Sequence, residues 1–253
     1  MTDFISIKET FTLPSKGKVY GDNAPTQVTL RSMTTEEEME LLGYAENEYK
    51  KLCDVIDACM VDKYPISSYD MILGDYEFLL HKLRIVSFGS DYNMLIPCPN
   101  CKQVVKSKTN LDELKVIEFD SKKIGNREIT LPLSKRVIKL SFQTPRMLDK
   151  IKQQEKEYRV NKKTKGVNYE LLFRAISFVA KMDNESMDEI TLEQEFIKMP
   201  ARDVLYLVQA GENLNRKVGL DTSIVATCPE CGYEVLTRFQ SQPEFFAPTF
   251  FEE

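Results

Sequence analysis

Two short stretches, Cys98-Pro-Asn-Cys101 and Cys228-Pro-Glu-Cys231, decide how this chain folds. Each has a two-residue gap between its cysteines, which lets both thiolates of one turn face the same ion. Two such turns complete a tetrahedral shell of four thiolates, each about 2.3 Å from the metal, as in a zinc ribbon. We therefore predict one structural Zn²⁺ per chain, with Cys98, Cys101, Cys228 and Cys231 as its ligands.

The residues around the two turns favour a metal site over its alternatives. A thioredoxin-like redox centre places its first cysteine at the N-terminus of a helix, whereas strand-like residues follow both turns here. Inert buried thiols are the other alternative. The predicted strands are 92–96 and 103–108 around the first turn, and 223–226 and 233–238 around the second.

The two turns lie 126 residues apart (228 − 101 − 1), far beyond the roughly 15–20 residues of a single zinc ribbon. An internal duplication explains this spacing, because Phe11-Thr-Leu-Pro14 and Ile129-Thr-Leu-Pro132 open two similar halves. An alternating segment and helical material follow each opening, and a cysteine turn closes each half. Chance similarity of two halves is the alternative, and the extra residues of the second copy fall near 162–166.

The predicted fold class is therefore α+β, with two related halves joined at one zinc-ribbon-like site of four cysteines. Each half is a β-hairpin-like segment plus helices that end in a knuckle. The predicted units are residues 1–109 with the knuckle 98–101, a connector 110–126, residues 127–240 with the knuckle 228–231, and a C-terminal arm 241–253.

Apolar periodicity and capping signals predict the helices. Thr34 and Glu37 form a capping box, and Gly89 ends a helix that begins near Tyr76. In the second half, Pro145 can open a helix, residues 171–182 are predicted to be helical, Thr191 and Gln194 to form another capping box, and Pro200 to precede a helix over 201–214.

Composition excludes several classes of protein. The chain has 253 residues, 34 Lys and Arg against 39 Asp and Glu, a net charge of −5, one His and six Cys. This balance excludes binding mainly through phosphate neutralisation, and one His excludes a two-histidine metal site. Without a signal-like N-terminus or an apolar stretch of roughly 18 residues, we expect a cytoplasmic chain with reduced thiols.

No catalytic residues are predicted. Four cysteine ligands leave no open position for a catalytic water, so the metal would be a structural staple. The chain has neither a phosphate-binding glycine loop nor a Gly-x-Ser-x-Gly elbow, and His81 is interpreted as a surface or hydrogen-bonded helix residue. Cys53 and Cys59 lie in a helical apolar run and are interpreted as core residues.

The C-terminal arm is rich in phenylalanine, and Pro243 and Pro248 are predicted to prevent a regular helix or strand in it. One interpretation is a tail folded back on its own core. The other is an arm that docks in pockets of a neighbouring chain. The candidate partner-binding residues are Phe245, Phe246, Phe250 and Phe251.

The segment Leu13-Pro-Ser-Lys-Gly-Lys-Val-Tyr20, followed by Leu83-Arg84, Phe88-Gly89 and the first cysteine turn, resembles a known family. It is similar to baseplate proteins of T-even-like contractile-tailed bacteriophages, in the group associated with baseplate hub assembly. The resemblance implies a non-enzymatic structural or assembly protein of the virion tail, assembled in the host cytoplasm. It implies other baseplate and tail proteins as partners, and no small-molecule substrate or nucleic acid.

Two other functions remain as alternatives. A zinc-ribbon module that binds nucleic acid or a transcription complex would use the basic residues near the knuckles, and a thiol-disulfide oxidoreductase would need an exposed cysteine of lowered pKa. The basic residues are Lys102, Lys106, Lys108 and Arg238.

Overall fold

The computed structural model describes residues 6–21, 24–160, 168–238 and 243–246. Helices and small antiparallel sheets alternate along the chain, so the predicted α+β class is confirmed. In chain order the elements are β1 (Lys8–Thr12), β2 (Gln27–Arg31), α1 (Thr35–Leu42), α2 (Glu48–Cys59), a 3-10 helix (Ser68–Asp70), α3 (Leu73–Phe88), β3 (Asp91–Pro97), β4 (Val104–Asn110), a 3-10 helix (Leu111–Glu113), β5 (Lys115–Ile117), α4 (Ser121–Ile124), β6 (Glu128–Thr130), β7 (Val137–Leu140), α5 (Pro145–Val160), α6 (Glu170–Ser177), β8 (Val179–Met182), α7 (Glu189–Lys198), α8 (Ala201–Asn215), β9 (Gly219–Asp221), β10 (Ser223–Thr227), β11 (Glu234–Arg238) and a 3-10 helix (Pro243–Phe246).

The strands form small sheets rather than one large one. β1 pairs with β2, β3 with β4, β10 with β11 and β5 with β9, while β6, β7 and β8 form a three-stranded sheet. Every pairing is antiparallel. Because isolated two-stranded sheets are marginally stable in water, these sheets depend on the helices and on one another.

Buried side chains group into two large clusters and one small one. The first cluster contains mostly side chains of residues 11–86, and the second mostly those of residues 124–218. The small cluster lies between the hairpins β3-β4 and β10-β11 and consists of Ile96, Cys98, Val105, Ala226, Cys228 and Val235. The cysteine turns thus belong to a core of their own, separate from the two main ones.

Buried polar contacts join the two halves. The N-cap residue of α2, Asn47, makes no side-chain capping bond. Instead, the buried carboxylate of Asp149, in α5, accepts hydrogen bonds from the backbone N–H groups of Tyr49 at 3.2 Å and Lys50 at 2.8 Å. A carboxylate at a helix N-terminus satisfies otherwise unpaired donors, so a residue of the second half caps a helix of the first.

The helix predictions for the first half are confirmed, including the capping box of Thr34 and Glu37. The predicted stop at Gly89 is also confirmed, because Gly89 ends α3 with φ of 85°. Cys53 and Cys59 are completely buried, as predicted.

Two helix predictions for the second half are wrong. The helix predicted over 171–182 ends at Ser177, and Val179–Met182 forms β8 because β7 offers these residues backbone hydrogen bonds that outweigh their helical periodicity. The capping box of Thr191 and Gln194 is replaced by Asp188, whose side chain accepts a hydrogen bond from the N–H of Thr191. Helix α7 therefore begins two residues before Thr191.

Candidate metal centre

The four cysteines lie in the turns of two hairpins that pack face to face. β3-β4 pairs from Asp91↔Asn110 to Pro97↔Val104, which leaves the first cysteine turn at its tip. β10-β11 pairs from Ser223↔Arg238 to Thr227↔Glu234 and presents the second turn in the same way. Because side chains alternate along a strand, one side of each hairpin lies in the small core. The two cysteine turns therefore lie next to each other at the same end of the hairpins.

The two turns have the same backbone hydrogen bonds. In the first, the N–H of Cys98 donates to the carbonyl of Gln103 at 2.8 Å, and the N–H of Lys102 donates to the carbonyl of Cys98 at 3.0 Å. In the second, Cys228 donates to Tyr233 and Gly232 donates to Cys228, both at 2.9 Å. The residue after the second cysteine is left-handed in each turn, with φ of 65° at Lys102 and 70° at Gly232.

The four sulfur atoms form a compact group that crosses between the hairpins. All four lie within 4.8 Å of one another. Sγ of Cys98 is 3.7 Å from Sγ of Cys231, and Sγ of Cys101 is 3.6 Å from Sγ of Cys228. A tetrahedron with metal–sulfur bonds of about 2.3 Å has edges of about 3.8 Å. The four residues predicted as ligands therefore come together in an arrangement that could hold one metal ion.

The thiols differ in exposure and in their readiness to ionise. Cys98 and Cys228 are buried, whereas Cys231 is exposed. The backbone N–H of Tyr233 lowers the pKa of the Cys231 thiol to about 6. The pKa of Cys101 is raised to about 12, because desolvation and the other three thiols outweigh the lowering effect of the Gln103 N–H. Ionisation of one thiol thus makes ionisation of its neighbours less favourable. A bound cation would relieve this repulsion between thiolates.

The hairpin context does not match a thioredoxin-like centre. In such a centre, a helix N-terminus lowers the pKa of the attacking cysteine. Here β4 follows the first turn and β11 follows the second, each after a short bend. The strands that follow both turns therefore favour a metal site over a redox centre.

Comparison with protein families identifies the chain. Residues 5–247 match the family described as T4 bacteriophage base plate protein. The chain belongs to this family. It is therefore a structural protein of the phage baseplate, with the virion tail as its location and other tail proteins as its partners. Searches of curated proteins and of solved structures gave no match.

The C-terminal segment of this baseplate protein packs in part on its own chain. Phe245 and Phe246 are each 1% exposed, and the ring of Phe245 lies 5.0 Å from His81 and 5.4 Å from Tyr92. These two phenylalanines are therefore covered by their own chain. Phe250 lies outside the described residues, and so does Phe251.

His81 is a buried core residue of the baseplate protein rather than a surface residue. Its Nδ1 lies 2.7 Å from the carbonyl oxygen of Glu77, which makes Nδ1 the donor of a hydrogen bond. Burial lowers the pKa of His81 to about 4. The imidazole is therefore neutral near pH 7 and has the hydrogen-bonded role that the sequence suggests.

Two of the basic residues near the knuckles make contacts with neighbouring residues of the same hairpin. Lys108 forms an ion pair with Asp91 at 2.7 Å, and Nζ of Lys102 donates to the carbonyl of Pro99 at 2.9 Å. Within the described residues, no helix is both long and apolar enough to cross a membrane.

Proposed function

We propose that this baseplate protein is a non-enzymatic scaffold of the hub region, in which one structural Zn²⁺ pins its two halves together. The observation that carries the proposal is the tetrahedral spacing of four sulfurs, two from each of the hairpins β3-β4 and β10-β11. A docking protein in a large particle needs rigid faces, and a metal gives rigidity where the small core has only six buried residues. Assembly takes place in the host cytoplasm, where the thiols stay reduced.

Zinc is the ion that best suits this donor set. Four thiolates form a closed shell that has no position for water or substrate, which is typical of structural rather than catalytic zinc. Soft sulfur ligands in tetrahedral geometry select against magnesium and calcium.

The order of elements supports an internal duplication. Each half has an opening hairpin, two helices, a segment that pairs with the hairpin, a final long helix and a cysteine hairpin, and the second half has α7 in addition, between β8 and α8. In the first half, Met60 pairs with Leu30 of β2 directly after α2. In the second, Val179 of β8 pairs with Leu140 of β7 directly after α6. The proposed insertion at 162–166 lies outside the described residues.

Equivalent buried carboxylates give further support to the duplication. Asp75, near the start of α3, accepts a hydrogen bond from the N–H of Ser15 at 2.9 Å, just after the first Leu-Pro pair. Asp203, near the start of α8, accepts from the N–H groups of Leu133 and Ser134 at 2.8 and 2.7 Å, just after the second Leu-Pro pair. Both carboxylates are fully buried. We therefore propose units 1–109 and 127–240, with 110–126 as connector.

Metal analysis of the purified protein tests the proposal. We expect about one zinc per chain after purification without added metal. The absence of zinc, together with a disulfide that forms and reopens reversibly between the knuckles, would instead favour the redox alternative.

The left-handed residue of each knuckle provides a paired prediction. Replacing Gly232 by alanine places a Cβ at φ of 70°, with nothing within 4 Å of it, so that only backbone strain changes. We expect a loss of about 1 kcal/mol, or roughly a fivefold weaker zinc affinity in chelator competition. Lys102→Gly should have the opposite effect, because it removes the same strain from the first knuckle. Equal effects of both changes would contradict this account of the turns.

The arm 241–253 is proposed to dock through Phe250 and Phe251, because Phe245 and Phe246 are covered by their own chain. A stop codon after Phe246 is expected to leave the melting temperature unchanged but to reduce phage yield in a complementation assay. Phe245→Ala provides the contrast, because it should lower stability directly by roughly 3 kcal/mol. Full yield from the truncated chain would refute docking by the arm.

A further inference from the structure

Helix α1 and the turn that follows it expose large apolar side chains to solvent. Met39, Leu42 and Tyr44 are 70, 52 and 95% exposed, respectively. Within α1 only Leu41 is buried, so the helix contacts the core along a narrow stripe. Single exposed apolar side chains are ordinary, but three within six residues form a patch of the kind that marks an interaction site. We refer to residues 36–48 as the α1 surface.

The α1 surface lies in the most acidic part of the chain. Residues 31–59 contain three basic and eight acidic side chains, a net charge of −5, which equals the net charge of the whole protein. The rest of the chain is therefore neutral overall. Two lysines of α5 reach this region and reduce the excess only to −3. Lys152 pairs with Glu48 at 2.6 Å. Lys156 pairs with Glu46 at 3.4 Å.

Three glutamates of α1 account for this excess. Glu37 pairs with Arg31 at 2.5 Å, whereas no ion pair within the described residues includes Glu36, Glu38 or Glu40. The helix dipole favours Glu36 in the first turn. It disfavours Glu40 in the last turn, where Glu36, four residues earlier, adds repulsion. Glu40 is therefore unfavourable in the isolated chain, and a cation from a partner would relieve this cost.

The chemistry of the α1 surface selects its occupant. Acidic groups around apolar side chains are complementary to a segment in which lysines or arginines alternate with apolar residues. The α1 surface of a second copy would be repelled, because both carry the same charge. The chain's own basic segment 161–167 is a poor occupant, since its sequence Asn-Lys-Lys-Thr-Lys-Gly-Val has one apolar side chain to cover three. A nucleic acid would meet the wrong sign of charge.

We propose that the α1 surface docks a segment of another tail protein in which basic residues alternate with apolar ones. Tyr44 and Met39 act as apolar anchors, and Glu40 pairs with a cation of the partner. Tyrosine is among the residues that most often dominate the binding energy of an interface. The inference rests on the proposed docking role of the protein but not on zinc, because none of the four cysteines belongs to the α1 surface. Loss of docking should therefore leave the zinc content unchanged.

Peptide binding to the purified full-length protein tests this inference. The probe is acetyl-Lys-Leu-Lys-Phe-Lys-Leu-amide, and its analogues are acetyl-Gln-Leu-Gln-Phe-Gln-Leu-amide and acetyl-Lys-Ser-Lys-Ser-Lys-Ser-amide. We expect the probe to bind roughly tenfold more tightly than either analogue, because only the probe supplies both cations and apolar groups. Amide chemical shifts should change in residues 36–48. The affinity should fall several-fold between about 0.05 and 0.5 M salt, because exposed charges are screened.

Two variants locate the contact. Tyr44→Ala should weaken binding of the probe roughly tenfold without loss of stability, since the Tyr44 side chain is almost fully exposed. Glu40→Gln should weaken binding several-fold and should fold at least as stably as the wild type, because it removes an unfavourable charge. The matched controls are Leu236→Ala, which removes an exposed apolar side chain of β11, and Glu185→Gln, which changes an exposed carboxylate of the second half. Both controls should bind the probe like the wild type.

Equal binding of the three peptides, or shifts confined to the cysteine hairpins, would overturn the proposal. So would roughly tenfold tighter binding after Lys162, Lys163 and Lys165 are replaced by serine, because the chain's own basic segment would then be the occupant. A complementation assay provides an independent test. Tyr44→Ala should reduce phage yield while the variant keeps its zinc and its melting temperature, and full yield would contradict docking at the α1 surface.

Discussion

Replacing Cys98 by serine is expected to abolish zinc binding and to open the paired hairpins without unfolding the rest of the chain. Cys98 is 1% exposed and belongs to the small core as well as to the proposed ligand set. A hydroxyl is a much poorer ligand than a thiolate, and three cysteines no longer close the shell. Metal content by elemental analysis should fall from about one zinc per chain to well below one.

The damage should be local because the two main cores do not depend on the cysteines. Only a few residues of β3, β4, β10 and β11 are buried between the hairpins. We expect hydrogen exchange of amides in these strands to accelerate by roughly a hundredfold or more, in the variant and in the chelated wild type alike. Amides of α3 and α8, which lie in the main cores, should change little.

Cys59→Ser is the matched control for this experiment. Cys59 is as buried as Cys98, but it lies at the end of helix α2, and its Sγ is 3.6 Å from the Glu37 carboxylate. It does not belong to the group of four cysteines that could hold the metal. The Cys59 variant should retain a full complement of zinc. Retention of zinc by the Cys98 variant, or its loss from both, would contradict the assignment of ligands.

Gly74→Ala is expected to destabilise the protein by about 3 kcal/mol, equivalent to a fall of roughly 10 °C in Tm. Alanine normally stabilises a helix relative to glycine by up to about 1 kcal/mol, so the predicted sign is reversed. The reason is the crossing of α3 and β9. A Cβ at Gly74 would lie 2.0 Å from the carbonyl oxygen of Val218 and 3.1 Å from Cα of Gly219. Backbone atoms cannot rotate away, so the two elements would have to separate.

Thermal unfolding of Gly43→Ala provides the comparison. Gly43 follows α1, and its nearest potential contact is a carbonyl oxygen at 3.4 Å, an ordinary van der Waals distance. Its φ of −66° suits any residue. We expect a change of less than about 1 kcal/mol there. A Gly74 variant as stable as the Gly43 variant would show that the α3–β9 contact is not a tight joint between the halves.

The Gly74 contact and the cysteine site join the halves at separate places. The first is a backbone contact between main-core elements, and the second is a set of side chains at the tips of two hairpins. A double variant of Cys98 and Gly74 should therefore show the hairpin exchange of the first single variant and the global loss of stability of the second, each nearly unchanged, because distant sites without shared contacts behave independently.

Local signals were sufficient for several elements. The capping box of Thr34 and Glu37 satisfies its own backbone donors, and Gly89 adopts a conformation that other residues avoid. Where a neighbouring strand supplied hydrogen bonds, local periodicity failed, as for Val179–Met182. No local signal marks Asp149 as the cap of α2, because its partners lie about 100 residues away.

By itself, the sequence determined the α+β class, the strands around the cysteine turns and the four candidate ligands, since each depends on residues within a few positions of one another. Only the tertiary structure decided that the two turns meet, that Phe245 and Phe246 are buried against their own chain, and that Asp149 of the second half caps α2 of the first. Those features depend on how distant segments pack, and packing of distant segments has no local signature. The same physical difference explains why a two-residue gap could be read as a metal motif, whereas Asp149, inside one helix, could not be read as the cap of another.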